Sequence, residues 1–151
     1  MIIHNSEEYN DPILYDQENN QYMPELAFLL KWASQMKGPI IDVACGTGRM
    51  TIPLAEKGHK LIGVDIHRGM LDEAVKKSAN LGLEIDWIEQ DCTKLNLNVK
   101  SNLIYSVGNS FQHFLTNEGQ DGFLSSVNKH LEGNGMLIFG TRFPSPEELL
   151  Q

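Results

Sequence analysis

The run Ile40-Ile41-Asp42-Val43, broken at once by Ala44-Cys45-Gly46-Thr47-Gly48, constrains the fold of this chain more than any other stretch. Ile40, Ile41 and Val43 form a short apolar run that reads as a buried strand. Gly46 and Gly48 remove side chains where the backbone must bend sharply and come close to a ligand. A helix is expected from about Arg49. Asp65 closes the next apolar run, Leu61-Ile62-Gly63-Val64. A carboxylate at that point accepts both hydroxyls of a ribose in nucleotide-binding βαβ units. Strand, glycine turn, helix, strand and acid together describe a pocket for a nucleoside cofactor.

What is missing decides which nucleoside. A dinucleotide fingerprint requires a third glycine three residues after the second, and Thr51 stands there. No Gly-Lys-Ser/Thr follows the turn, so a phosphate-cradling P-loop is excluded too. Asp42, just ahead of the glycines, would repel a pyrophosphate and suits a cationic ligand. This pattern, Asp-x-x-x-Gly-x-Gly with Asp65 after the second strand, resembles the class I S-adenosylmethionine-dependent methyltransferases.

Composition limits the partners. The 151 residues suit one domain with a real core, and no compositional shift marks a linker. Net charge is -8, so the electrostatic footprint of a nucleic-acid binder is absent and a small acceptor is favoured over a polyanion. No apolar run approaches a membrane span, and the first residues lack a signal-peptide pattern. Cys45 and Cys92 lie far apart with no Cys-x-x-Cys pair, which fits a reducing cytoplasm. His4, His59, His67, His113 and His130 show no zinc-ligand spacing, so no metal is expected.

The remaining elements follow from periodicity and turn chemistry. Pro24 opens a helix with Leu26, Leu29, Leu30 and Ala33 on one stripe, ended by Lys37-Gly38-Pro39. The pattern then predicts a helix over 49–57 and a strand over 60–64. A helix over 68–80 carries Met70, Leu71, Ala74, Val75 and Leu81 on its apolar side. Leu83, Ile85 and Trp87 alternate with acids as a strand with one wet face. A strand over 102–107 and a helix over 117–131 follow. Met136–Phe139 form a last strand, apolar throughout and expected to be buried. Alternating strands and helices imply an α/β, doubly wound, mostly parallel sheet in three α/β/α layers. The resemblance supplies the strand order 3-2-1-4-5 and a ligand crevice between strands one and four.

Residues 1–21 are read as an N-terminal segment, 22–143 as the methyltransferase core and 144–151 as the start of a C-terminal extension. Ser145-Pro146-Glu147-Glu148 is a capping box that announces a further helix. The resemblance implies two more strands, so the chain is expected to be a truncated enzyme or a shortened paralogue. The fifth strand would then present an apolar edge, and a homo-oligomer through that edge is expected.

The resemblance also assigns roles. Ala44, Cys45, Gly46, Thr47 and Gly48 would pass under the methionine part of S-adenosylmethionine, and Asp42 would hold its ammonium. Asp65 would bind the ribose, Ile66 the adenine face, and Asp91 and Cys92 the adenine edge. Asn109 would contact the methionine end. Tyr15 and Tyr22 lie on an N-terminal segment that folds over the cofactor in related enzymes. His113 is a candidate general base, with a helix-packing histidine as its alternative. No Asn-Pro-Pro-Tyr follows the fourth strand and no Pro-Cys pair is present, which points to a small-molecule acceptor; the product that the resemblance implies is S-adenosylhomocysteine. Two rivals remain: a non-catalytic cofactor-binding fragment or interaction module, and an NAD-dependent oxidoreductase, which Thr51 and Asp42 disfavour.

Overall fold

The computed structural model describes residues 24–107 and 117–139. Tyr15, Tyr22, Asn109 and His113, with the segments 1–21 and 144–151, lie outside the described residues.

Helix α1 spans Pro24–Ala33 and is followed by β1 (Ile40–Val43), α2 (Thr51–Glu56) and β2 (Leu61–Asp65). Then come α3 (Arg68–Asn80), β3 (Asp86–Glu89), a 3₁₀ turn (Cys92–Lys94) and β4 (Ser101–Ser106). Helix α4 (Asn117–Asn128) and β5 (Leu131–Phe139) complete the order. The five strands form one sheet in the order β3-β2-β1-β4-β5, and every pair is parallel, as expected.

Parallel strands need crossovers, and the helices of those crossovers cover both faces of the sheet. On one face, Leu29, Ala33, Met50 and Leu54 pack on Ile40, Leu61, Leu103 and Tyr105. On the other, Phe123 and Val127 of α4 join Ile41, Val43, Ile62, Val64 and Ile104. The odd and even residues of β1 thus serve two separate cores, which is why its burial is complete at all four positions.

Four expectations need correction. Helix α2 begins at Thr51, two residues later than the pattern suggested, because Gly48 still belongs to the turn and Pro53 sits in the first helical turn, where its missing N–H is harmless. Strand β5 begins at Leu131, not Met136: Leu131 pairs with Ser101, and the Gly133–Gly135 stretch loops out before Met136 rejoins opposite Leu103. Its Met136–Phe139 part is half-buried, not buried, since β5 pairs with β4 alone among the described residues. The alternation expected before β3 holds: Leu83, Ile85 and Trp87 are half-buried, whereas Glu84 and Asp86 are exposed. Trp87 and Ile88 are both half-buried, because helices cover both sides of even this outer strand. Val75 and Leu81, placed by periodicity on the apolar side of α3, are 44% and 54% exposed.

Candidate cofactor site

Between β1 and α2 the chain makes a turn with three left-handed residues, Ala44 (φ 59°), Gly46 (φ 60°) and Gly48 (φ 84°). Left-handed backbone suits glycine and costs an alanine roughly 1 kcal/mol. The Ala44 conformation was not legible in the sequence. It is held by its neighbours: the Cys45 N–H donates to the Val64 carbonyl (2.9 Å) and Gly48 N–H to that of Cys45 (3.1 Å).

The two glycines are required for different reasons. A Cβ on Gly46 would meet nothing within 4 Å, so its open side is where a ligand can approach. A Cβ on Gly48 would lie 2.8 Å from Trp87 Cη2 and 3.1 Å from Ile52 Cδ1. Gly48 therefore makes room for the protein's own Trp87 ring. Gly63 does the same one strand over, opposite Trp87 in the β2–β3 register, where a Cβ would overlap the ring. The Trp87 Nε1–H donates to Ser78 Oγ (3.0 Å), which anchors the ring on α3. The involvement of Trp87 was missed; the signal was its register partner, a glycine inside a buried strand.

Asp65 ends β2, and its carboxylate is already engaged. Gly46 N–H donates to Oδ2 and His67 N–H to Oδ1, each at 2.8 Å. One carboxylate thus fastens the glycine turn to the start of α3 and is 6% exposed. The next residue, Ile66, is 55% exposed at the same end of the sheet. Asp91 caps the 3₁₀ turn after β3, with Oδ1 accepting from Thr93 N–H (2.9 Å) and Thr93 Oγ1–H (2.8 Å). These bonds to Thr93 hold its carboxyl below the ordinary carboxylate range. Cys92 is pushed up to about 12, chiefly by burial, which makes it a packing residue and not a thiolate.

Asp42 is a buried and strongly perturbed acid. It is 2% exposed and accepts from Thr51 Oγ1–H at 2.6 Å. Burial pushes it up to about 7, with the like charge of Asp65 adding to the rise and the Thr51 bond and Arg49 charge opposing it. Tyr105 faces it in register from β4, and its buried hydroxyl lies close enough to the carboxylate to oppose that rise. Arg49, also nearly fully buried, pairs with Glu25 of α1 at 3.5 Å. A hollow lined by Asp42, Ala44, Cys45, Gly46, Arg49, Met50 and Val107 opens here, at the carboxyl ends of β1 and β4. Arg49, Met50 and Val107 were not foreseen; only the β1–β4 register places Val107 opposite the turn. Thr47 is buried within the turn and is reached by Lys77 Nζ at 3.4 Å.

Residues 40–135 match a family model described as a methyltransferase domain. The chain belongs to the methyltransferase-domain family. It is 31% identical over 104 residues to a putative methyltransferase, YqeM, of Bacillus subtilis, covering 68% of this chain and 42% of that protein. It is 27% identical to a cypemycin N-terminal methyltransferase of Streptomyces sp, covering 90% of this chain and 59% of the other. The crystal structure of an S-adenosylmethionine-dependent methyltransferase from Clostridium acetobutylicum superposes with a TM-score of 0.74 at 27% identity, over 83% of this chain and 54% of that one. The fold is that of the class I methyltransferases, and the chain spans about half the length of these relatives.

Proposed function

We propose that this chain binds S-adenosylmethionine and forms the catalytic core of an enzyme that methylates a small molecule. The observation that carries this is the pairing of a buried Asp42 carboxylate with an open Gly46 face in one hollow at the β1–β4 switch point. The residues fit the cofactor: a buried acid for the cationic methionine end, glycine backbone for close approach, Asp65 for the ribose and exposed Ile66 for the adenine face. The match to the Clostridium methyltransferase structure supports the same cofactor.

S-adenosylmethionine supplies a methyl group on a cationic sulfonium. The chain's own task is to fix it. Asp42 compensates the positive charge and Gly46 lets the backbone approach the methionine portion. Asp65 keeps the second lone pairs of both oxygens for ribose hydroxyls while holding the turn with the first. Asp91 and Cys92 border the adenine. Because the methyl is already activated, alignment with the acceptor supplies much of the rate, and an acid–base residue is not essential.

The small-molecule acceptor rests on the net charge of -8, which opposes a polyanionic substrate. Incubation with methyl-labelled cofactor and a fractionated cell extract tests it. Label in the low-molecular-weight fraction is expected; label confined to RNA or protein would overturn the acceptor class. The half-buried edge strand β5 supports self-association as part of this reading, and a monomer at all concentrations in sedimentation would remove it.

A further inference from the structure

The loop that follows β3 is held from one side by side chains of α4 and of His130, two residues beyond it. Leu95 N–H donates to Ser126 Oγ (2.6 Å), and Leu97 N–H donates to His130 Nε2 (3.0 Å). The spacing is physically matched. Two residues of extended chain advance about 6.6 Å, and four residues along a helix about 6 Å. Leu95 and Leu97 pack in the same core as Phe123 and Val127 of α4. A Cβ on Gly122 would come within 3.3 Å of the Thr93 side chain, so helix and 3₁₀ turn are in close contact. Gln90 closes the other end, its amide donating to Asn96 O (3.1 Å) and accepting from Asn96 N–H (2.9 Å).

The two bonds at the His130 ring define its state. Nε2 accepts from an amide N–H, so it carries no proton. Nδ1 lies 2.8 Å from the Ser126 carbonyl and must therefore donate. Only the neutral Nδ1–H tautomer satisfies both. A second proton would set an N–H against the Leu97 N–H.

We propose that Ser126 and His130 are positioning residues for the cofactor: they hold the 91–97 loop against the sheet only while the His130 ring is neutral, so protonating that ring releases the loop and weakens binding. The inference rests on the reading of Asp91 and Cys92 as neighbours of the adenine. Charged and titratable groups on the surrounding elements are Glu118 and Asp121 of α4, Lys129 next to His130 in the chain, Glu132 at the start of β5, Asp91, Cys92, Lys94 and Lys100 on and beside the loop, and Tyr105 of β4. Among the described residues none of these is ion-paired with His130.

The test is S-adenosylhomocysteine affinity by calorimetry between about pH 7.5 and about pH 5.5, for wild type and His130→Gln. Glutamine keeps an uncharged acceptor near the Nε2 position and does not titrate. The acidity of Asp42 acts equally on both proteins, so their difference isolates the histidine. Wild type should lose about five-fold more affinity on acidification than His130→Gln, as the loop-ordered fraction falls. Equal pH profiles would overturn the proposal. Ring ¹⁵N shifts of the unsubstituted protein give a second readout. An Nδ1–H tautomer is expected, and an Nε2–H tautomer would overturn the latch itself. If the folded wild type binds no S-adenosylhomocysteine at any pH, the cofactor reading fails and this inference with it, even where the ring shifts show the latch.

Discussion

The Trp87 ring occupies the space that a side chain on Gly48 would need, 2.8 Å from where its Cβ would stand. The second glycine of the turn is thus a packing requirement between β3 and the turn, whereas the first faces open space. The two should separate on mutation. Gly48→Ala is expected to destabilise the fold by about 2–4 kcal/mol, since overpacking adds to left-handed strain. Trp87→Leu should recover part of that loss. Gly46→Ala should cost only about 1 kcal/mol of stability and fall mainly on cofactor affinity. Thermal denaturation beside ligand titration checks all three. Full stability in Gly48→Ala would contradict the packing argument.

The cofactor role proposed for Asp42 makes affinity depend on pH. Its carboxyl holds a proton up to about 7 in the free protein, while a cationic ligand favours the ionised form. Binding below that pH must release the proton. Affinity should therefore be constant at higher pH and fall about ten-fold per unit below about 7. Calorimetry in buffers of different ionisation enthalpy measures the released proton directly, and Asp42→Asn should abolish the release.

The same group affects stability in the opposite sense. A carboxyl whose folded value is raised binds its proton more tightly in the native state, so ionising it as pH rises from about 4 to about 7 costs stability. Asp42→Asn keeps an acceptor for the Thr51 hydroxyl and has no charge to bury. It is expected to raise the denaturation midpoint of the free protein at about pH 8 and to change it little at about pH 5.

Asp65 is structural in addition to the ribose-binding role proposed for it. Asp65→Ala strands the Gly46 and His67 amides and should cost about 2–4 kcal/mol in addition to cofactor affinity. Asp65→Asn keeps one acceptor and should fall between. An Asp65→Ala protein of undiminished stability would show that the two bonds contribute nothing to the fold.

Ala44 tests the backbone of the turn. Ala44→Gly should change stability by less than about 1 kcal/mol, because relief of left-handed strain offsets the added freedom of the unfolded chain. Ala44→Val should destabilise by about 1–3 kcal/mol. Denaturant titration of the two variants decides.

The sheet was legible because buried parallel strands carry a strong local signal. Ile40–Val43 and Leu61–Asp65 are short apolar runs, and each is punctuated by glycine or an acid where the chain turns. Strand order came from resemblance, since no local feature says that β4 passes β2 and β3 to lie beside β1. The start of β5 was misread because Glu132-Gly133-Asn134-Gly135 has the composition of a turn, while its pairing is set by Ser101 across the sheet. The packing need at Gly48 was not legible for the same reason: it depends on Trp87, remote in sequence and adjacent only after folding. Asp42 and Asp65 were legible as acids at strand ends. Their bonds to Thr51, Gly46 and His67 were not, because they depend on the three-dimensional path of the turn.

The most direct test of the central claim is calorimetric titration of the folded chain with S-adenosylhomocysteine, with NAD as the control ligand, repeated on Gly46→Ala. The account predicts saturable binding of S-adenosylhomocysteine alone, weakened by the Gly46 substitution without loss of fold. Binding of NAD in its place, or S-adenosylhomocysteine binding that ignores Gly46, would contradict it.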